Sequence, residues 1–124
     1  MKFAIVSYGL RDVVEEVLQD YPNAELFESL EDLNEDDYDF LIFTSELGDE
    51  RGDRLISAIK SVKIKFLVFC VTPTNLEDIQ KSRYQAYDIV MMENFEGAIV
   101  SGFLKFEEKV EALKIVLESY LASK

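Results

Sequence analysis

The stretch KFLVFCVT, Lys65 to Thr72, decides the fold. Its apolar residues run unbroken from Phe66 to Val71, and Pro73 stops them. A strand with one wet face alternates apolar and polar residues, so a run this continuous predicts a strand covered on both sides, near the centre of a parallel sheet. Two further runs have the same character: Phe3 to Val6, broken by Ser7-Tyr8-Gly9, and DFLIFT, Asp39 to Thr44.

Helical patterns lie between these runs. Leu10 to Gln19 places Val13, Val14, Val17 and Leu18 on one face, and Asp53 to Ser61 places Leu55, Ile56 and Ile59 inward. Ala24 to Phe27 reads as a short strand, and Ser29 is placed to cap a turn holding Leu30 and Leu33. Thr74 with Glu77 matches a capping box for a helix after the central strand. YDIVMM, Tyr87 to Met92, reads as the last strand. In the closing helix Phe106, Val110, Leu113, Leu117 and Tyr120 or Leu121 recur at three- and four-residue steps, with Lys114 and Glu118 spaced for an i,i+4 pair. Strands alternating with amphipathic helices, joined by right-handed crossovers, predict an α/β three-layer doubly wound sandwich. Its sheet is five-stranded and mainly parallel, in the flavodoxin-like order 2-1-3-4-5.

At 124 residues the chain is expected to form a single α/β domain over 1–124. Its formal net charge of −12, from 25 acidic and 13 basic residues, predicts no nucleic-acid partner and no anionic membrane partner. The apolar start, Met1 to Val6, is too short for a signal-peptide core, and no stretch approaches a membrane span, so a cytoplasmic location is expected. Cys70, inside the central run, reads as a small core residue, and with no histidine in the chain it has no imidazole base.

In this fold ligands bind beyond the carboxyl ends of the strands, where the strand order reverses. The candidate crevice is therefore Ser7, Tyr8, Gly9, Thr44, Ser45, Gly48, Gly52, Thr72 and Asn94. Its loop, TSELGDERGDR from Thr44 to Arg54, carries glycines at a spacing that suits a phosphate cradle. On these residues the segment from Asp39 to about Ile99 resembles the GTPase domain of the tubulin/FtsZ family. In that family a strand ending in Thr-Ala-Gly is followed by a Gly-Gly-Gly-Thr-Gly-Thr-Gly loop that opens a helix. Thr44, Gly48 and Gly52 match. The other glycine positions fall on Asp49, Glu50 and Arg54, and the threonine positions fall on Arg51 and Asp53. FLVFCVTP and YDIVMMEN are similar to the family's next two strands, and of the first glycine turn Gly9 remains.

The resemblance implies a degenerate GTPase domain without an intact phosphate loop. A phosphate cradle presents bare backbone N–H groups, which glycine allows and the side chains of Asp49 and Glu50 obstruct. Each carboxylate about 4 Å from a phosphate charge also costs roughly 4 kcal/mol at an effective dielectric near 20. Arg51 and Arg54 offset part of this, but triphosphate binding is expected to be lost.

A phosphoacceptor receiver domain shares this fold. It needs an acidic pair after strand 1, an aspartate ending strand 3 and a lysine after strand 5. The chain offers Ser7-Tyr8, Thr44-Ser45 and Glu93-Asn94, and only Thr72, ending strand 4, fits. Glu46, Asp49, Glu50 and Asp53 carry cation-binding oxygens but follow no EF-hand spacing, so no metal and no cofactor are expected. In NFEGAIVSGFLKF, Phe95, Ile99, Phe103 and Phe106 form a candidate interface for a homodimer or another protein, with packing under the last helix as the alternative. The expectation is a non-enzymatic module acting through protein contacts. The alternative is a small-ligand or nucleotide binder using the crevice.

Overall fold

The structure is a computed structural model and describes residues 2–93, 95–100 and 104–122. A parallel sheet of five strands runs in the order β2-β1-β3-β4-β5. The strands are β1 (Phe3–Ser7), β2 (Glu25–Phe27), β3 (Phe40–Glu46), β4 (Lys65–Val71) and β5 (Gly97–Val100). The helices are α1 (Arg11–Leu18), α2 (Glu50–Ile59), α3 (Leu76–Val90) and α4 (Phe106–Ala122). This is the flavodoxin-like architecture expected from the sequence.

The period of two along the central strands sorts their side chains into two cores. Phe3, Ile5, Phe40, Ile42, Leu67 and Phe69 face α1 and α4, meeting Val14, Leu113 and Leu117. Ala4, Val6, Leu41, Phe43, Val68 and Cys70 face the other way, onto Leu55, Ile56 and Ile59 of α2 and Ile89 of α3. Burial on both sides explains why β1, β3 and β4 read as unbroken apolar runs. It also pushes the Cys70 thiol up to about 12, so the sulfur stays protonated and inert.

The structure corrects the last strand. Tyr87 to Val90 closes α3, and β5 lies further on, pairing Val68 to Val71 with Gly97 to Val100. No glycine or proline occurs between Leu76 and Glu96, so nothing interrupts the helix where the apolar run begins. The cap of α3 is also one residue later than expected: Asn75 Oδ1 accepts from the Asp78 amide at 3.2 Å. Ser29 caps its short turn as expected, accepting from the Glu31 amide. Lys114 pairs with Asp20 at 2.9 Å, which ties α4 to the end of α1.

Candidate functional site

The carboxyl ends of β1 and β3 meet where the strand order reverses. Ser7 pairs in register with Thr44, and both are buried. Thr44 Oγ1 donates to the Gly9 carbonyl at 2.8 Å and lies 3.1 Å from Ser7 Oγ, which donates to the same carbonyl at 2.7 Å. The Thr44 carbonyl accepts from the amides of Tyr8 and Gly9. A side chain at Gly9 would meet the Glu46 backbone nitrogen at 2.9 Å, so the β1–α1 turn closes tightly against β3. These polar groups therefore satisfy one another and hold the two strand ends together.

The loop after β3 is closed in the same way. Gly48, at φ 100, donates its amide to Gln85 Oε1 at 2.6 Å. Gln85 Nε2 donates to the Asp49 carbonyl at 3.0 Å and to Asp53 Oδ1 at 2.9 Å. Gln85, 3% exposed, thus bolts α3 to the loop and to the first turn of α2. Both loop glycines serve this contact. A Cβ at Gly48 would lie 2.8 Å from Asp78 Cβ, and one at Gly52 would lie 2.4 Å from Gln85 Oε1. Close approach of α3, through Asp78 and Gln85, which lie 30 residues beyond Gly48 and 33 beyond Gly52, accounts for the glycine spacing that looked like a phosphate cradle.

Asp49 occupies the N-terminus of α2. Its Oδ1 accepts from the Arg51 amide at 2.8 Å, and its Oδ2 accepts from the Arg51 guanidinium at 2.7 Å. Hydrogen bonding to Arg51 holds the Asp49 carboxyl below its ordinary range and raises Arg51 in turn. Arg51 also reaches Glu46 at 3.2 Å. Hydrogen bonds from Gln85 and then Lys81 depress the Asp53 carboxyl, with Lys81 Nζ 2.9 Å away. Glu46, Asp49 and Asp53 are turned toward Arg51 and Lys81, and among the described residues no three metal-ligating groups converge. Beside this loop a groove of about 390 Å³ opens between Ser7, Tyr8, Gly9, Glu46, Arg51 and Arg54. Arg54 lies 5.9 Å from the centre of the Tyr8 ring.

Of the other candidate residues, Ser45 is buried and Thr72 donates its amide to the Val100 carbonyl at 2.9 Å. Asn94 and Phe103 lie outside the described residues. Phe95 and Ile99 are half-buried against the α2–α3 core, whereas Phe106 opens α4 and is 39% exposed.

The sequence reading missed the face of α3. Its inward side is polar: Ser82 and Gln85 are buried, and Ile89 is its one fully buried large apolar residue. Its outward side carries Leu76, Tyr84, Tyr87 and Val90, exposed by 86, 66, 62 and 46%, and Met91 follows at 64%. The signal was present in the recurrence of these residues at helical steps. It was hidden by the assignment of Tyr87 to Met92 to a strand.

No protein-family model matches the chain. An uncharacterized protein of Archaeoglobus fulgidus is 36% identical over 99 residues, covering 74% of this chain and 58% of that one, so the chain spans little more than half the relative's length. Among solved structures, the C-terminus of Escherichia coli RcsC, containing a linker region and a phosphoreceiver domain, superimposes with a TM-score of 0.52. That match covers 99% of this chain and 48% of the other, at 15% identity, and shows a shared fold.

The comparison overturns the tubulin/FtsZ resemblance. The structural neighbour is a phosphoreceiver domain, a different flavodoxin-like family. The matched features also have other causes here: the glycines admit α3, and YDIVMM is helical. With the Gly48 amide committed to Gln85 and the α2 terminus capped by Asp49, a phosphate would have to displace both. Calorimetric titration with Mg²⁺–GTP or Mg²⁺–ATP is expected to show no binding tighter than about 10 μM, roughly −7 kcal/mol. A tighter constant would mean that the loop opens.

Proposed function

We propose that the chain is a non-enzymatic α/β module that works through protein contacts, a receiver-like scaffold without phosphoacceptor chemistry. The observation that carries this is the solvent face of α3, which carries its large apolar side chains while Ser82 and Gln85 are buried beside Ile89. Monomeric proteins seldom expose contiguous apolar patches beyond roughly 300–600 Å², and larger ones mark interfaces. Five large apolar side chains of one helix and its end are exposed here, Leu76, Tyr84, Tyr87, Val90 and Met91. At the switch point, the strand ends that carry acids in receivers carry Ser7 and Thr44, which are bonded to each other. Half-buried Phe95 and Ile99 and exposed Phe106 remain candidates for a second contact, and a cytoplasmic setting fits a module of this kind. No helix among the described residues is long and apolar enough to cross a membrane.

Ligand binding in the Tyr8 groove is the second reading, favoured by Arg54, which has no ion-pair partner among the described residues.

The contact reading is tested by stability. Leu76→Ser and Tyr87→Ser, measured by urea denaturation at about 1 μM protein, should each change stability by less than about 0.5 kcal/mol, as expected of solvent-facing positions. A loss above about 2 kcal/mol would assign these side chains to the core and remove the surface on which the reading rests.

A further inference from the structure

We infer that the outward face of α3 receives a helical segment of another protein that carries a carboxylate midway along an apolar face. This rests on the reading of α3 as a contact surface. The stripe from Leu76 to Met91 extends about 22 Å at 1.5 Å per residue, the length of a four-turn helix. Leu76, Ile79, Gln80, Arg83 and Tyr84 line a groove of about 570 Å³ along its first half. This is the ridge-and-groove surface against which helices pack.

Charge selects the occupant. At 3.6 residues per turn, Glu77, Lys81 and Asp88 fall to one flank, where Lys81 turns toward Asp53 of α2. That leaves Arg83 as the charged side chain within the stripe. It is exposed and has no ion pair among the described residues. It stands seven residues from Leu76 and eight from Met91. A helix laid over the stripe covers this guanidinium, and a carboxylate at its centre supplies the fork-shaped acceptor that arginine fits best. A basic segment would leave it desolvated and repelled.

A second copy fits less well. An antiparallel α3 pair related by a twofold axis brings like flanks together, setting Arg83 beside Arg83 between two chains of net charge −12. An anionic membrane is opposed by the same net charge.

The test uses two synthetic sixteen-residue amphipathic helical peptides, fluorescently labelled. Each has leucines along one face and alanine and glutamine elsewhere, and they differ only in a Glu or a Lys at the centre of the leucine face. By anisotropy, the wild-type chain should bind the Glu peptide at least tenfold tighter than the Lys peptide. Arg83→Glu should invert that order, and Tyr87→Asp should weaken both by tenfold or more with an unchanged circular dichroism spectrum. The inference is overturned if neither peptide binds or if Arg83→Glu leaves the preference unaltered. It is equally overturned if the wild type sediments as a dimer through this stripe, or if it binds phosphatidylserine vesicles through it. Dimerisation or vesicle binding would replace the occupant and leave the contact reading standing. Destabilisation by the serine substitutions would remove both.

Discussion

Replacing Gly97 by alanine is expected to destabilise the fold by roughly 3–5 kcal/mol, among the largest effects of any single change in this chain. Gly97 starts β5 at φ 134, a conformation that side chains rarely adopt. The clash is worse than the strain. A Cβ there would lie 1.9 Å from the Val68 carbonyl oxygen and 2.7 Å from the Val68 nitrogen, both backbone atoms of the neighbouring strand. Neither can swing away as a side chain can, because β4 is held between β3 and β5. Relief requires β5 to lift off, which exposes the Ile99 side chain and breaks the Val68–Glu96 and Thr72–Val100 hydrogen bonds. Gly52→Ala is the informative contrast, because there the clash is with the end of the Gln85 side chain and part of the cost returns as helix propensity. Urea denaturation of both variants checks this. A Gly97→Ala loss below about 1 kcal/mol would show that β5 does not approach β4 so closely.

The same strand shows where sequence reading succeeds and where it stops. β1, β3 and β4 were legible because burial on both faces leaves their central runs, Phe3 to Val6, Phe40 to Phe43 and Phe66 to Val71, without a polar residue. β5 has four residues, begins with a glycine and lies at the sheet edge, where burial is partial. Beside it the run from Ile89 to Met92 looked more strand-like, because a short apolar run has no period to distinguish strand from helix. An apolar face directed at solvent compounds the error, since patterning arguments assume that apolar residues point inward. At the candidate site, the need for glycine at positions 48 and 52 was visible, but its reason was not. Gln85 lies 37 and 33 residues beyond them, and only the folded chain brings it there. A glycine-spaced loop after a strand therefore reports that something comes close to the backbone, and the sequence alone did not say whether that was a phosphate or a helix.

Gln85 supplies the second large effect, and it can be made to depend on pH. Its amide accepts from Gly48 and donates to the Asp49 carbonyl and to Asp53, a pattern that needs one acceptor end and one donor end. Gln85→Leu removes both, leaving the Gly48 N–H without its partner and the Asp49 carbonyl with the Gly52 amide at 3.2 Å. At about 1–3 kcal/mol for a buried unsatisfied group, the expected loss is roughly 1–3 kcal/mol at any pH. Gln85→Glu keeps the acceptor for Gly48 but turns an ionised oxygen toward a carbonyl and the Asp53 carboxylate. The site is buried, so both desolvation and the neighbouring charge favour the protonated form and raise the folded-state pKa of the introduced carboxyl. The sign follows from proton uptake. Between the ordinary glutamic acid value near 4.3 and the raised folded value, the native state holds the proton and the unfolded chain does not, so stability falls as pH rises through that interval. Above the folded value the penalty is complete, and below about pH 4 the charge penalty vanishes, leaving a protonated carboxyl that supplies one of the two hydrogen bonds the amide donates. Denaturation midpoints of wild type, Gln85→Leu and Gln85→Glu across pH 4 to 8 should therefore show Gln85→Glu closest to wild type at the acid end and losing stability toward the neutral end, where it is no more stable than Gln85→Leu. A Gln85→Glu chain as stable as wild type at pH 7 would mean that Gln85 does not join α3 to the loop, and the closed loop between β3 and α2 would lose its main support.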